Sequence, residues 1–466
     1  MSLDSARGVE PPVQLRQALR ELGAFAAKLS WTTQSSDVQS ALLRVLADSL
    51  SVMIAGGRLA ESARLRQRLP HSGGSATVFG DDRTRGILDA AWLNGVSLVS
   101  LELDEGNKRV RGHATAHVLP AVLALAESRR TSGEELATAF LVGHEVASRF
   151  GRAVVLHEGV HPHGNWGVTG AAAASARITG LDAATIAASI DIAGALALVT
   201  PFRVATAGMA VRNAWIGHAN VAGIQAAALA QEGEPLAGIA QESLGQLLGV
   251  LDVEELTADL GDDLAMRGGY FKRHASCSYT HPPADAALAV YAERGRVEPE
   301  AVEFIEVQSH HLATALRGCD WPTRMAAMFS IPYVVSVALR TGECGPQSFD
   351  EVNRSDERIA RLAAKITVSL DRELDAKLPA HRAARLRVHW VGGQETLVEV
   401  ENPIGDADFH PLSDSTLLDK SASLLGDHDD AALVHQLCEE MLHCNDVATI
   451  LGQLRSCASK GGRRAG

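Results

Sequence analysis

Small side chains at helical spacing dominate the first ~265 residues, and that pattern leaves few folds open. Val38, Leu42, Val45, Leu46 and Met53 recur every three or four positions, with Ser36 or Asp37 expected as N-cap and Gly56-Gly57 expected to end the run. Ser132-Gly133-Glu134-Glu135 is a capping box ahead of Leu136, Phe140, Leu141 and Phe150. An Ala-rich helix is expected from Gly170 to Ile178, stopping at Gly180, and Asp182 caps another that carries Ile186, Ile190, Ala193 and Leu196. Alanine and glycine between the apolar positions let helices pack closely, as an all-α bundle requires, and no strand run competes strongly here. The balance of 46% hydrophobic but only 4% aromatic residues leans the same way.

The rhythm changes after Gly268-Gly269. Val302 to Val307 alternates as a half-buried strand does, Ile366 to Leu370 repeats it, and Leu386–Trp390, Gly392-Gly393 and Thr396–Val400 read as a hairpin. Ile331 to Leu339 looks helical, and helical spacing returns after Asn402-Pro403 with Leu424, Leu433, Leu437, Met441 and Leu442. The expected fold is mainly α: a helical bundle domain formed by both ends of the chain (residues 1–267 and 404–466) with an inserted α+β lid domain at 268–403. The 466 residues suit two or three domains. The basic, Gly-rich tail from Ser459 to Gly466 is expected to fray.

A formal net charge of −13 argues against general nucleic-acid or anionic-membrane binding, so neither partner is expected. The six cysteines include no CxxC pair, which disfavours a disulfide framework or structural zinc. Met1 to Pro12 lacks the apolar core of a signal peptide, and no uninterrupted apolar run approaches the roughly 18–20 residues of a membrane span. A cytoplasmic protein is the expectation.

Polar chemistry concentrates in four places. Glu102 to His113, followed by His117, pairs carboxylates with histidines, which suits acid/base work or a solvated loop. This run precedes a helix expected to begin near Pro120. His157 to Gly167 includes His161-Pro162-His163, either a turn with surface histidines or metal ligands, although the spacing matches no metal signature such as HExxH, and no metal is expected. Met209 to His218 contains Arg212, which a helix surface would also explain. Tyr270 to Pro282 contains Lys272-Arg273, Cys277, Tyr279 and His281; a solvated basic pair is the bland reading, and a Cys/His nucleophile lacks supporting spacing. Glycine-rich phosphate loops are absent, so no cofactor is expected.

Together the four clusters resemble the MmgE/PrpD family over about residues 15–450. The resemblance rests on Asn94-Gly95 leading to LELDEGN, GHATAHVLPAVLALAE from Gly112, HPHGNWGVTGAAAA from His161, VRNAWIGHANVAGIQAAALA from Val211, YFKRHASCSYTHPPADAAL from Tyr270 and FSIPYVVSVAL from Phe329. It implies a helical domain plus an α+β lid, usually a homodimer, with an active-site cleft between them. His113 falls on the family's His-Pro histidine with Ala114 replacing the proline, His161 on a second catalytic histidine, and Lys272 on the family lysine. Arg212 stands where lysine is common, and the DFDDT motif becomes Glu102-Leu103-Asp104-Glu105-Gly106, losing the threonine hydroxyl.

The resemblance implies a cofactor-independent lyase acting on a small polycarboxylate, by 2-methylcitrate-type dehydration or cis-aconitate-type decarboxylation. His113 and His161 serve as acid and base, Lys272 as a catalytic cation, and Asp104 or Glu102 orients a histidine. Arg212 and Arg111, with His163, His281 and Tyr279, are the candidates for holding substrate. The alternatives are an isomerase or epimerase using the same proton-transfer groups, and a dimeric binding protein without activity.

Overall fold

The computed structural model describes residues 13–460. Met1 to Pro12 and most of the basic tail, from Gly461 on, lie outside the described residues. Helix dominates, with 21 α-helices against six strands among the described residues, so the fold is mainly α. Six helices of the N-terminal part are α1 (Ser36–Arg58), α2 (Ile87–Val99), α3 (Ala114–Arg129), α4 (Gly133–Ala153), α5 (Val168–Ile178) and α6 (Val211–Gln231).

Close approach of backbones explains much of this bundle. Where α4 crosses α5, a Cβ on Gly170 would lie 2.3 Å from the Gly143 carbonyl oxygen. The same physics corrects the expected end of α1. That helix starts one residue after its N-cap, Ser35, and runs straight through Gly56-Gly57 to Arg58. A Cβ at Gly56 would lie 2.0 Å from the Ser97 carbonyl oxygen of α2, and one at Gly57 would lie 2.3 Å from that of Phe79. These glycines are contact points and not stops.

Helix α3 begins at Ala114 with His113 as its N-cap residue, and not near Pro120, which lies inside it. A proline there removes a backbone donor and disturbs the preceding turn. Asn220 on α6 repairs both sides: its amide donates to the Ala116 carbonyl at 3.0 Å, and its oxygen accepts from the Ala121 N–H at 2.9 Å. Ser132 caps α4 with a complete capping box, and Asp182 caps Ala183–Ala195, as expected.

Strands β1 (Val154–Leu156) and β2 (Gly249–Leu251) pair antiparallel inside the helical part, where no strand was expected; three residues each is too short to show a period of two. The larger sheet has the order β4-β3-β5-β6, from β3 (Val302–Ser309), β4 (Ile366–Leu370), β5 (Ala384–Trp390) and β6 (Glu395–Val400). Only β3–β4 is parallel, and Gly392-Gly393, both at positive φ, turn the β5–β6 hairpin. Helices His281–Arg294 and Ile331–Thr341 pack together beside this sheet.

After β6 the chain returns to the bundle, where Asp414–Leu425 and His428–His443 pack on α1. Lys420 reaches into the bundle to Asp48 of α1 at 2.7 Å and donates to the Leu103 carbonyl at 3.0 Å. Helix α1, although interrupted by Arg44 and Asp48, has an 18-residue window of mean hydropathy 1.4, long and apolar enough by length and composition alone to cross a membrane. Here 72% of that window is buried against protein, and it carries the ion-paired Asp48.

Candidate active site

Segment 101–113 connects α2 to α3 as a buried strap. Lys420 holds it from behind, Gly106 and Tyr270 exchange backbone hydrogen bonds at 3.1 and 2.7 Å, and Lys108 pairs with Asp406 at 3.1 Å. Glu102 and Arg111 adopt left-handed backbone at φ 53° and 58°, conformations that cost a non-glycine residue about 1–2 kcal/mol and collect at functional sites. A Cβ at Gly106 would lie 2.6 Å from the Tyr270 ring and 3.0 Å from His113 Nδ1. A side chain at position 106 would therefore collide with the Tyr270 ring.

The strap, the 161–163 turn, the start of α6 and the 270–279 segment converge on one cavity of about 50 Å³. Glu102, Arg111, His113, His161, Arg212, Lys272 and Tyr279 line it; Asp104 lies directly behind, bonded to two of them. Two expected residues do not reach it. His163 is wholly buried, edge-on to His161 with ring centroids 4.6 Å apart. His281 turns away, bonding the Ser276 carbonyl at 3.2 Å and packing on His274. His163 lies in the turn after His161, and His281 is the first residue of helix His281–Arg294.

Lys272, expected as a catalytic cation, and Arg212, expected to hold substrate, are both already paired. Lys272 Nζ lies 3.3 Å from Glu102 and 3.4 Å from Asp104, and Arg212 is ion-paired with Glu102. Burial opposes the Lys272 charge, but the two carboxylates outweigh it and hold its pKa above the ordinary lysine value. Burial likewise pushes Asp104 up, yet His113, Lys272 and Arg212 together bring it down to about 2. Arg111 lies exposed at the rim, one N–H spent on the Arg152 carbonyl at 2.9 Å.

Hydrogen bonds fix the tautomers of the two lining histidines, and fix them oppositely. His113 Nδ1 faces the Glu105 carbonyl at 2.8 Å and Asp104 at 3.0 Å, so it must carry the proton, leaving Nε2 as a bare lone pair. His161 Nδ1 accepts the His163 backbone N–H at 3.1 Å, so in the neutral ring Nε2 carries the proton. Burial lowers both pKa values; Asp104 pulls His113 part of the way back, whereas Arg212 pushes His161 further down. One neutral ring thus offers a lone pair at Nε2 and the other an N–H.

His117 is a support. It donates to the His113 carbonyl at 2.8 Å and accepts from the Gly164 N–H at 3.1 Å, which uses both nitrogens and ties the two histidine segments together. Phe202 stacks on His161, with ring centroids 5.4 Å apart, and Phe329 lies under the Arg212 guanidinium. Phe202, Phe329, Tyr270, Ser278 and Arg382 line the cavity without having been singled out as site residues. Tyr270 and Ser278 stand in a polar cluster that pointed to the site; Arg382 stands in no motif. Cys277 also lines the cavity, and burial pushes its thiol up to about 11, which disfavours a thiolate nucleophile.

Asp104, His113 and His163 offer ligand atoms within 4.8 Å of one another. A divalent ion there would compete with the Lys272 ammonium for Asp104 and lie near Arg212, a like-charge arrangement made costly by burial. The donor set is better suited to moving protons than to holding a metal.

Residues 20–246 match the model of the MmgE/PrpD N-terminal domain, and residues 274–443 that of the MmgE/PrpD C-terminal domain. Two cis-aconitate decarboxylase sequences from Aspergillus terreus are each 26% identical, covering 94% of this chain and 96% of the relative. A cis-aconitate decarboxylase-like protein, oryM, from Aspergillus oryzae is 28% identical over 37% of this chain and 40% of its own length.

Proposed function

The chain belongs to the MmgE/PrpD family, and from that premise we propose a lyase that acts on a small polycarboxylate by proton transfer between the substrate and two imidazoles. The opposed tautomers of His113 and His161 carry this reading. The names of the Aspergillus relatives favour a cis-aconitate-like acid and loss of CO2.

In decarboxylation the carbon–carbon bond to the departing carboxylate breaks and its electron pair stays on the substrate. That charge spreads onto a neighbouring carboxylate, where buried cations stabilise it better than water does. The carbon takes a proton from His113, charged at Nε2 from solvent and steadied by Asp104, and that ring returns to neutral. In dehydration His113 Nε2 removes the proton beside a carboxylate and becomes the imidazolium, His161 Nε2–H hydrogen-bonds the departing hydroxyl, and the proton on His113 completes the water that leaves. Asp104 holds His113 in the basic tautomer and stabilises the imidazolium that forms.

Incubation with a panel of di- and tricarboxylates in D2O, followed by 1H NMR, tests the reading. Loss of CO2 or water from one of them is expected. Exchange of an α-proton with neither loss makes the enzyme an epimerase, and no change with any acid ends the lyase reading. The pH profile is a second test. For dehydration, burial holds the His113 pKa below 6.5, so the base stays competent as pH falls to that value, and the acid limb of kcat/KM lies below pH 6.5. An acid limb above pH 7 contradicts the assignment.

A further inference from the structure

Charge balance around the cavity isolates one residue. Glu102 and Asp104 neutralise Lys272 and Arg212, so those two cations have little net charge left for an anion. Two further guanidiniums line the cavity, those of Arg111 and Arg382. Arg111 is exposed at the rim, but Arg382, in the loop that leads into β5, is only 8% exposed.

Arg382 has no carboxylate partner within ion-pairing distance among the described residues. Its Nη1 reaches Ser278 Oγ at 3.3 Å and the Tyr270 hydroxyl at 3.5 Å, and its guanidinium lies 5.5 Å from the centroids of the Tyr270 and Tyr279 rings. Asp406, the acid that acts on it electrostatically, is bonded to Lys108 instead. A buried guanidinium is costly without an anion, and two aromatic faces and a hydroxyl offset only part of that cost. Its planar fork matches a carboxylate in a bidentate pair.

We propose that Arg382 is the residue that binds a substrate carboxylate, with Tyr270, Tyr279 and Ser278 holding its guanidinium over the cavity. This assignment rests on the polycarboxylate reading above but is tested by binding alone. It also makes the 379–383 loop a specificity element: its guanidinium demands a carboxylate remote from the carbon that changes.

Calorimetry with non-reacting acids separates the possibilities. The probes are tricarballylate, glutarate (the same chain without the central carboxylate) and methylsuccinate (without one terminal carboxylate). Arg382→Gln should bind tricarballylate about 10- to 100-fold more weakly than the unaltered enzyme, the range of a lost charge-assisted hydrogen bond. Removing the matching carboxylate from the ligand should weaken the unaltered enzyme similarly and leave the variant almost unaffected. A merely structural role cannot produce that ligand-specific cancellation. Should Arg382→Gln not fold, Arg382→Lys, which keeps charge but loses the fork, carries the same comparison with a smaller loss.

Equal tricarballylate affinity in enzyme and variant, or penalties that do not cancel, overturns the assignment while leaving the lyase reading intact. Tight tricarballylate binding that depends on Arg382, with no turnover of any acid, overturns the lyase reading and keeps the assignment. An unaltered enzyme that binds none of the three acids overturns both.

Discussion

His113→Gln is expected to lose about 10²–10⁴-fold in kcat, the usual worth of a positioned acid or base, with little change in fold. Glutamine can still donate to the Glu105 carbonyl that His113 now meets at 2.8 Å, so the start of α3 keeps its anchor. What disappears is the lone pair on Nε2. The partner ring should be as sensitive: His161→Gln removes the N–H that faces the cavity while Phe202 still packs against the side chain. If the two rings work as donor and acceptor on one substrate, the double variant should be little worse than the more damaged single variant, because either loss already stops the transfer. Rates from the NMR assay, with circular dichroism as the control for folding, measure this directly. A loss below tenfold in His113→Gln removes the histidine from the chemistry.

Much of this site could be read before any coordinates, for a definite reason. Glu102, Asp104, His113, His161, Arg212 and Lys272 are types seldom buried without a task, and they cluster in four short runs. Capping residues were equally legible, since Ser132 and Asp182 bond within three residues of themselves. Periodic strands such as β5 and β6 announced their turn through Gly392-Gly393. Features that depend on a distant partner were not legible. Gly56 and Gly57 look like a helix stop until α2 and Phe79 arrive against them. Pro120 looks like a helix start until Asn220, a hundred positions on, bonds the groups around it.

Pairing state belongs to the same class. That Lys272 would meet Glu102 across 170 residues, and so be unavailable as a simple clamp, depends on how far the strap is pushed toward the 270–279 segment. Arg382 is the extreme case. Its own neighbours in sequence say nothing, and its role comes from Ser278 and Tyr270, which are more than 100 positions away.

Removing one charge from this network should show how tightly it is balanced. In Glu102→Gln, Arg212 and Lys272 remain buried with Asp104 as their one close carboxylate. Breaking a buried pair by deleting one partner typically costs about 3–5 kcal/mol, because the remaining charge is stranded out of water. Glutamine keeps the shape, so packing contributes little to the loss. Urea unfolding of the variant should therefore show a lower midpoint at unchanged slope. The double variant Glu102→Gln/Arg212→Gln removes both members of a pair, so it should recover a substantial part of that stability. Binding of tricarballylate should move the other way in the single variant: an anion entering the cavity would relieve the stranded cation, raising affinity even as the unliganded protein weakens. A Glu102→Gln protein within about 0.5 kcal/mol of the unaltered one, the ordinary range of a surface change, would mean that Glu102 is not compensating these cations.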